Sequence, residues 1–255
     1  METATLSYLS LSGAKYGQES NVTALERANA AKTAGFTSIG VSLADSLSEA
    51  PNVHDAGVTT PELEWVELGR PITALDLTTL ALSLSVWGVT RINAGITWRT
   101  PEPLRMIGER LRAVANVAAE HNATIAVEPV AFGWLRRVEG VQCVLAEADM
   151  PNTGLLLDMW QVYQDGPEWF GPGLARDAVE IQICGVPLIR PHGARTRFSR
   201  SQDRPTLTES GVNVTAWLTA LRDAGCRAPL SVELPNSRLN TLSVTDRAAA
   251  IKAML

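Results

Sequence analysis

Four apolar runs in the second half of the chain each end on an oxygen-bearing side chain: Thr-Ile-Ala-Val-Glu128, Leu-Leu-Leu-Asp158, Val-Glu-Ile-Gln182 and Leu-Ser-Val-Glu233. Three carboxylates gathered in a low-dielectric pocket repel one another, and without a cation some must take up protons. A divalent metal removes that difficulty. Carboxylate and amide oxygens are hard donors that suit Mn2+ or Mg2+, and Co2+ and Zn2+ are also within reach of such a set. Taken singly, an acid near a strand end caps a helix or solvates a loop as readily as it binds metal. A lone buried glutamine more often satisfies backbone groups. The repetition over four successive runs is what favours one divalent ion held by Glu128, Asp158, Gln182 and Glu233.

For these side chains to meet, the runs must be parallel strands whose carboxyl ends share a face, which is where (β/α)8 barrels carry their sites. Apolar runs alternate with amphipathic stretches along the whole sequence, as βα units joined by helical crossovers require. The strand candidates are Thr5 to Leu11, Thr37 to Leu43, Ile72 to Leu77, Thr90 to Ile96, Thr124 to Glu128, Gly154 to Asp158, Val179 to Ile183 and Leu230 to Glu233. The clearest helix runs from Glu102 to His121, with Leu104, Ile107, Leu111, Val114 and Val117 at helical spacing. Two further helices end at Ala34-Gly35 and Ala224-Gly225, where glycine can adopt the left-handed conformation that closes a helix. The stretch Thr78 to Gly88 fits helix or strand by pattern and is read as a shortened or irregular third helix. Gly185 to Gly211 carries no clear element and, following the seventh strand, would lie over the barrel mouth as a lid. The expectation is an α/β fold, a single TIM-barrel domain over residues 1–255, a length usual for such barrels.

A net charge of -5 argues against the phosphate-neutralising surface that nucleic-acid binding needs. Cys143, Cys184 and Cys226 are an odd set without C-x-x-C spacing, so neither a disulfide framework nor a thiolate zinc site is indicated. No signal-peptide pattern and no long apolar window appear, so a cytoplasmic protein with a small-molecule substrate and no membrane partner is expected. The sequence accommodates a homo-oligomer without specifying one.

From about Ala123 onward the chain resembles the sugar isomerase and epimerase superfamily of xylose-isomerase-like barrels. The resemblance lies in Ala-Val-Glu128-Pro, Gly-Leu-Leu-Leu-Asp158-Met-Trp-Gln161, Glu-Ile-Gln182-Ile and Leu-Arg-Asp-Ala-Gly225-Cys-Arg-Ala-Pro-Leu-Ser-Val-Glu233. It implies metal ligation by the four strand-end residues, Gln182 resembling the variant of hydroxypyruvate-isomerase-like members. It also implies that Glu128 and Glu233 exchange protons with the substrate. Gln161 departs from the pattern, standing where these enzymes usually carry a substrate-contacting histidine. An amide can bond a hydroxyl but does not titrate near neutrality. The activity so implied is isomerisation or epimerisation of a sugar, sugar acid or related hydroxy-carbonyl compound through a metal-stabilised enediolate. The alternatives are a metal-dependent lyase or dehydratase on a similar or glycosidic substrate, and a ligand-binding barrel without turnover.

Lys15, Lys32 and Lys252 are the only lysines and none falls in a predicted strand, which argues against a Schiff-base enzyme. Among three histidines, His192 ranks ahead of His54 as a substrate contact because its loop is long, while His121 suits a helix C-terminus. Trp98, Trp134 and Trp160 follow strands four, five and six and could ring one opening, or brace loops against the barrel. Arg204, with Arg190, Arg195, Arg197 and Arg200, crowds the seventh loop, where a carboxylate or phosphate could be clamped.

Overall fold

In the computed structural model, which describes residues 3–14, 20–97, 101–165 and 172–255, eight parallel strands close into a barrel in chain order. They are β1 (Ala4–Leu6), β2 (Ser38–Ser42), β3 (Thr59–Glu67), β4 (Arg91–Gly95), β5 (Thr124–Glu128), β6 (Thr153–Asp158), β7 (Ala178–Ile183) and β8 (Leu230–Val232). The helices are α1 (Tyr8–Ser12), α2 (Ala24–Thr33), α3 (Ala50–Asp55), α4 (Ala74–Trp87), α5 (Leu104–Glu120), α6 (Val138–Ala148), α7 (Met159–Asp165), α8 (Pro172–Asp177), α9 (Ala194–Ser201), α10 (Val214–Asp223) and α11 (Val244–Ala253). Closure is direct, since Ala4, Thr5 and Leu6 pair with Leu230, Ser231 and Val232. Among the described residues no helix is long and apolar enough to cross a membrane.

The third unit differs from the sequence reading. Ile72 to Leu77 is not a strand, and the segment after it is neither short nor irregular. Thr73 and Asp76 form a capping box, and Leu80, Leu84 and Trp87 bury one side of a fourteen-residue helix, α4. The strand lies earlier, at Thr59–Glu67. Its register slips against β2 on either side of Pro61 and against β4 between Glu64 and Val66. A bulge tolerates proline and breaks the two-residue alternation by which strands are recognised. The first strand is also shorter than Thr5 to Leu11, because Tyr8–Ser12 turns into helix. The seventh loop likewise holds α9 and a 3-10 turn at Leu207–Glu209.

Apolar strand residues such as Ile39, Leu63, Ile92, Ile125 and Leu155 join the layer shared with the helices. The barrel interior is polar instead. Arg91 on β4 donates from Nε to Glu180 on β7 at 3.1 Å and lies 3.8 Å from Glu62 on β3. Its Nη2 donates to Thr5 Oγ1 on β1 at 3.4 Å. Since β4 neighbours neither β7 nor β1, these contacts cross the barrel. Barrels of this kind are more often filled by branched apolar side chains.

Burial, followed by repulsion from Glu62, pushes the Glu180 carboxyl well above its ordinary value. Arg91→Met should therefore destabilise the protein by about 3 kcal/mol, the scale for stranding buried charge. The loss should be larger at pH 8 than at pH 5, where Glu180 can take up a proton. Chemical denaturation at both values checks this, and a pH-independent loss would contradict it.

Candidate metal centre

Glu128 ends β5, Asp158 ends β6, Gln182 stands beside Asp158 in the β6–β7 register, and Glu233 follows β8 directly. All four are buried. One carboxylate oxygen each from Glu128, Asp158 and Glu233 lie within 4.8 Å of one another. Glu128 Oε1 and Gln182 Oε1 are buried without a hydrogen-bond partner. Such oxygens are costly in a folded interior unless a ligand completes them, so this donor set suits a hard divalent cation.

Arg204 is part of the same cluster. Its fully buried guanidinium donates from Nη1 to Asp158 Oδ2 at 2.7 Å and from Nη2 to Glu233 Oε1 at 3.0 Å. Three carboxylates and one guanidinium leave a formal charge of minus two, which one divalent cation balances. Trp160 lies beneath the guanidinium, with its ring centroid 5.9 Å from Cζ. Gln161 braces the other side. Its backbone N–H donates to Asp158 Oδ1 at 3.0 Å, and its Oε1 accepts from the Ala131 N–H at 2.9 Å.

Burial, then the charges of Asp158 and Glu233, hold Glu128 well above the ordinary carboxylate range, against the opposing pull of Arg204 and the Gln161 amide. Glu64, on β3, is raised by burial and then by Glu233 and Glu62. Cys184 sits near Arg204, Asp158 and Glu233, but burial pushes its thiol far up, so it offers no thiolate.

The remaining candidates scatter. His192 is exposed and forms no part of the carboxylate cluster. His54 lies on α3, where Nε2 is 3.2 Å from the Trp87 carbonyl oxygen. Trp134 packs half-buried against the core. Trp160 is completely buried, because α7 begins immediately after Asp158 and turns the indole inward, so it does not line an opening. Trp98 lies outside the described residues. Glu64 is not among the residues that the sequence pattern singles out; the Glu62-Leu-Glu64 alternation inside β3 is the signal that marks it.

A family model described as xylose isomerase-like TIM barrel matches residues 79–254. The chain belongs to that family. Solved structures with the family's fold include the IOLI protein with a bound zinc atom, at TM-score 0.79 and 14% identity over 99% of this chain and 96% of that one. L-ribulose 3-epimerase aligns at TM-score 0.71 and 17% identity over 99% and 93%. The probable 3-DHS dehydratase AsbF from Bacillus anthracis aligns at TM-score 0.74 and 14% identity over 99% and 98%. The chain spans 42% of a fusion of a xylose isomerase-like barrel with 4-hydroxyphenylpyruvate dioxygenase, at TM-score 0.77 and 17% identity. No curated protein matches the chain in sequence.

An acid whose proton affinity rises on folding binds more protons folded than unfolded between its ordinary and its raised value. Its contribution to stability is thus present at low pH and is lost as pH climbs through that interval. With Glu128, Glu64 and Glu180 all raised, chelator-treated protein should melt at a lower temperature at about pH 8 than at about pH 5. Saturating zinc should shrink the difference, since a metal ligand must be deprotonated. Melting curves measure both, and a melting temperature that climbs with pH in chelator would refute the sign.

Proposed function

We propose that the chain is a divalent-metal-dependent isomerase or epimerase acting on a sugar, sugar acid or related hydroxy-carbonyl compound. The observation that carries this reading is the convergence of Glu128, Asp158 and Glu233 within 4.8 Å, beside the unpartnered Glu128 and Gln182 oxygens. A divalent ion held by Glu128, Asp158, Gln182 and Glu233 would supply Lewis acidity, polarising a substrate carbonyl and acidifying the neighbouring C–H. Manganese and magnesium suit oxygen donors, and zinc is supported by the IOLI likeness.

Proton movement falls to the chain's own carboxylates. Glu233, ion-paired to Arg204, accepts the proton from the acidified carbon. Glu128, whose surroundings raise its proton affinity, exchanges a proton at the substrate from β5. Arg204 and Gln161 hold Asp158 from two sides, so the acceptor geometry is fixed before substrate arrives. The buried site excludes bulk water, which strengthens each of these interactions.

A second reading, dehydration, begins with the same proton abstraction and is favoured by the likeness to the probable 3-DHS dehydratase. Isomerisation conserves substrate mass and dehydration removes one water, so mass spectrometry of products from a panel of hydroxy-carbonyl compounds, run with each metal, distinguishes them. Glu233→Gln should lower turnover by about 10² to 10⁴-fold while metal occupancy falls only moderately. Asp158→Ala should lower metal affinity first, with activity partly recovered in excess metal. Full turnover in Glu233→Gln with metal bound would remove Glu233 as the base. Absence of any bound metal in protein purified without chelator, and of any uptake on titration, would remove the reading altogether.

A further inference from the structure

Trp65 enters the barrel from β3. Arg91 reaches across the interior, so Asn93 and Gly95, at alternate positions on the same strand, face inward as well. Glu64 pairs with Asn93 and Val66 with Ala94, which leaves Trp65 as the extra residue of the bulge. Val66 and Ala94 belong to the outer apolar layer. Bulges beside functional sites re-aim a side chain, and this one turns the indole inward.

Gly95 sets how far the ring can go. A Cβ there would stand 2.5 Å from Trp65 Cη2, 2.9 Å from Trp65 Cζ2 and 3.1 Å from the Glu128 carbonyl oxygen, so the ring fills the space that a side chain at Gly95 would take. Gly95 is paired with Glu128, which puts the indole at the strand level of a proposed metal ligand. The ring edge that meets Gly95 also carries the N–H, since Cζ2 and Nε1 are both bonded to Cε2. That Nε1 is buried and has no hydrogen-bond partner among the described residues. Trp87 and Trp160 also leave Nε1 unpaired, but both residues are fully enclosed. Trp65 is only half-buried, so part of it stays open to solvent at the mouth.

A buried indole N–H ordinarily finds an acceptor, and one left without it costs free energy that a bound acceptor recovers. The metal centre is short of donors. Ionised Glu128, Asp158 and Glu233 can only accept, and the Arg204 guanidinium already donates to Asp158 and Glu233. A neutral donor stabilises the charge that gathers on a substrate oxygen as the carbon-bound proton leaves, without disturbing the charge balance at the centre. We propose that Trp65 is a substrate-contacting residue whose Nε1–H donates to an oxygen of the bound hydroxy-carbonyl compound, with Gly95 as the residue that admits the ring. This assignment rests on the metal-dependent function proposed above.

The test uses glycolate, a small hydroxy acid that chelates zinc through two oxygens, as the probe. In isotope-labelled protein the indole N–H signal of Trp65, assigned through the backbone of Glu64 and Val66, should move downfield when glycolate is added to the zinc-loaded form. Trp65→Phe keeps an aromatic ring and loses the N–H. It should bind glycolate about tenfold more weakly at unchanged zinc affinity, the scale of one hydrogen bond to a charged acceptor. Gly95→Ala, which displaces the ring, should weaken glycolate in the same direction. In protein that has taken up zinc, an indole signal unmoved by glycolate, or parental glycolate affinity in Trp65→Phe, would overturn the inference and leave the metal-dependent function standing. Protein that takes up no zinc would overturn that function, and this inference with it.

Discussion

Repulsion among carboxylates buried at one end of a barrel sets the terms for most of what surrounds them. Arg204 answers part of it by bridging Asp158 and Glu233, and the long connection after β7 is arranged to keep it there. The Arg204 backbone N–H donates to the Pro235 carbonyl at 2.8 Å, its carbonyl accepts from Asn236 Nδ2 at 2.7 Å, and its Nε donates to the Ser201 carbonyl at 3.2 Å. At Gly185 a Cβ would stand 2.2 Å from the Pro205 carbonyl oxygen, so only glycine lets the strand exit approach this segment. The connection is thus tied over the carboxyl ends of the strands by a charge that the carboxylates themselves require.

The same solution recurs deeper in the barrel. Arg91 reaches across from β4 to Glu180 and lies near Glu62, as Arg204 does for Asp158 and Glu233 near the mouth. Glu64 feels Glu62 on one side and Glu233 on the other, and burial leaves it holding its proton more tightly than an ordinary carboxylate. A barrel filled in this way gains little from apolar packing inside. Cohesion comes from the outer layer, where strand residues such as Ile92 and Ile125 meet helix residues such as Leu84 and Leu111.

This division explains which features could be read in the sequence. The final four strands were legible because each presents an apolar run and then an oxygen donor at the same structural level. The third was not, because its inward positions are Glu62 and Glu64, and bulges near Pro61 and Trp65 break the alternation. Helical spacing in Leu80, Leu84 and Trp87 was present, but short runs of leucine, serine and threonine suit either element. Arg204 could be noticed only as one of five arginines in its loop. Nothing in its neighbours distinguishes it from exposed Arg195 or Arg200, and only the folded chain carries it under the mouth. Of the two placements open to Trp160, rimming a mouth or bracing the barrel, the fold gives the second: the helix starts at the next residue after Asp158, which leaves no loop for an indole to rim.

The two glutamines follow from the same electrostatics. Gln182 contributes an oxygen without adding a fourth negative charge beside Glu128, Asp158 and Glu233, and Gln161 fixes Asp158 without adding a group that titrates near neutrality. Charge at the centre is therefore set by carboxylates and guanidinium alone. In the proposed reaction, proton transfer then depends on how far burial and the neighbouring charges raise Glu128, and any change in the number of cations held there changes that shift. In that proposed function, metal binding, attachment of the connection after β7 through Arg204 and proton affinity form one coupled equilibrium, because all three draw on the same few oxygen atoms.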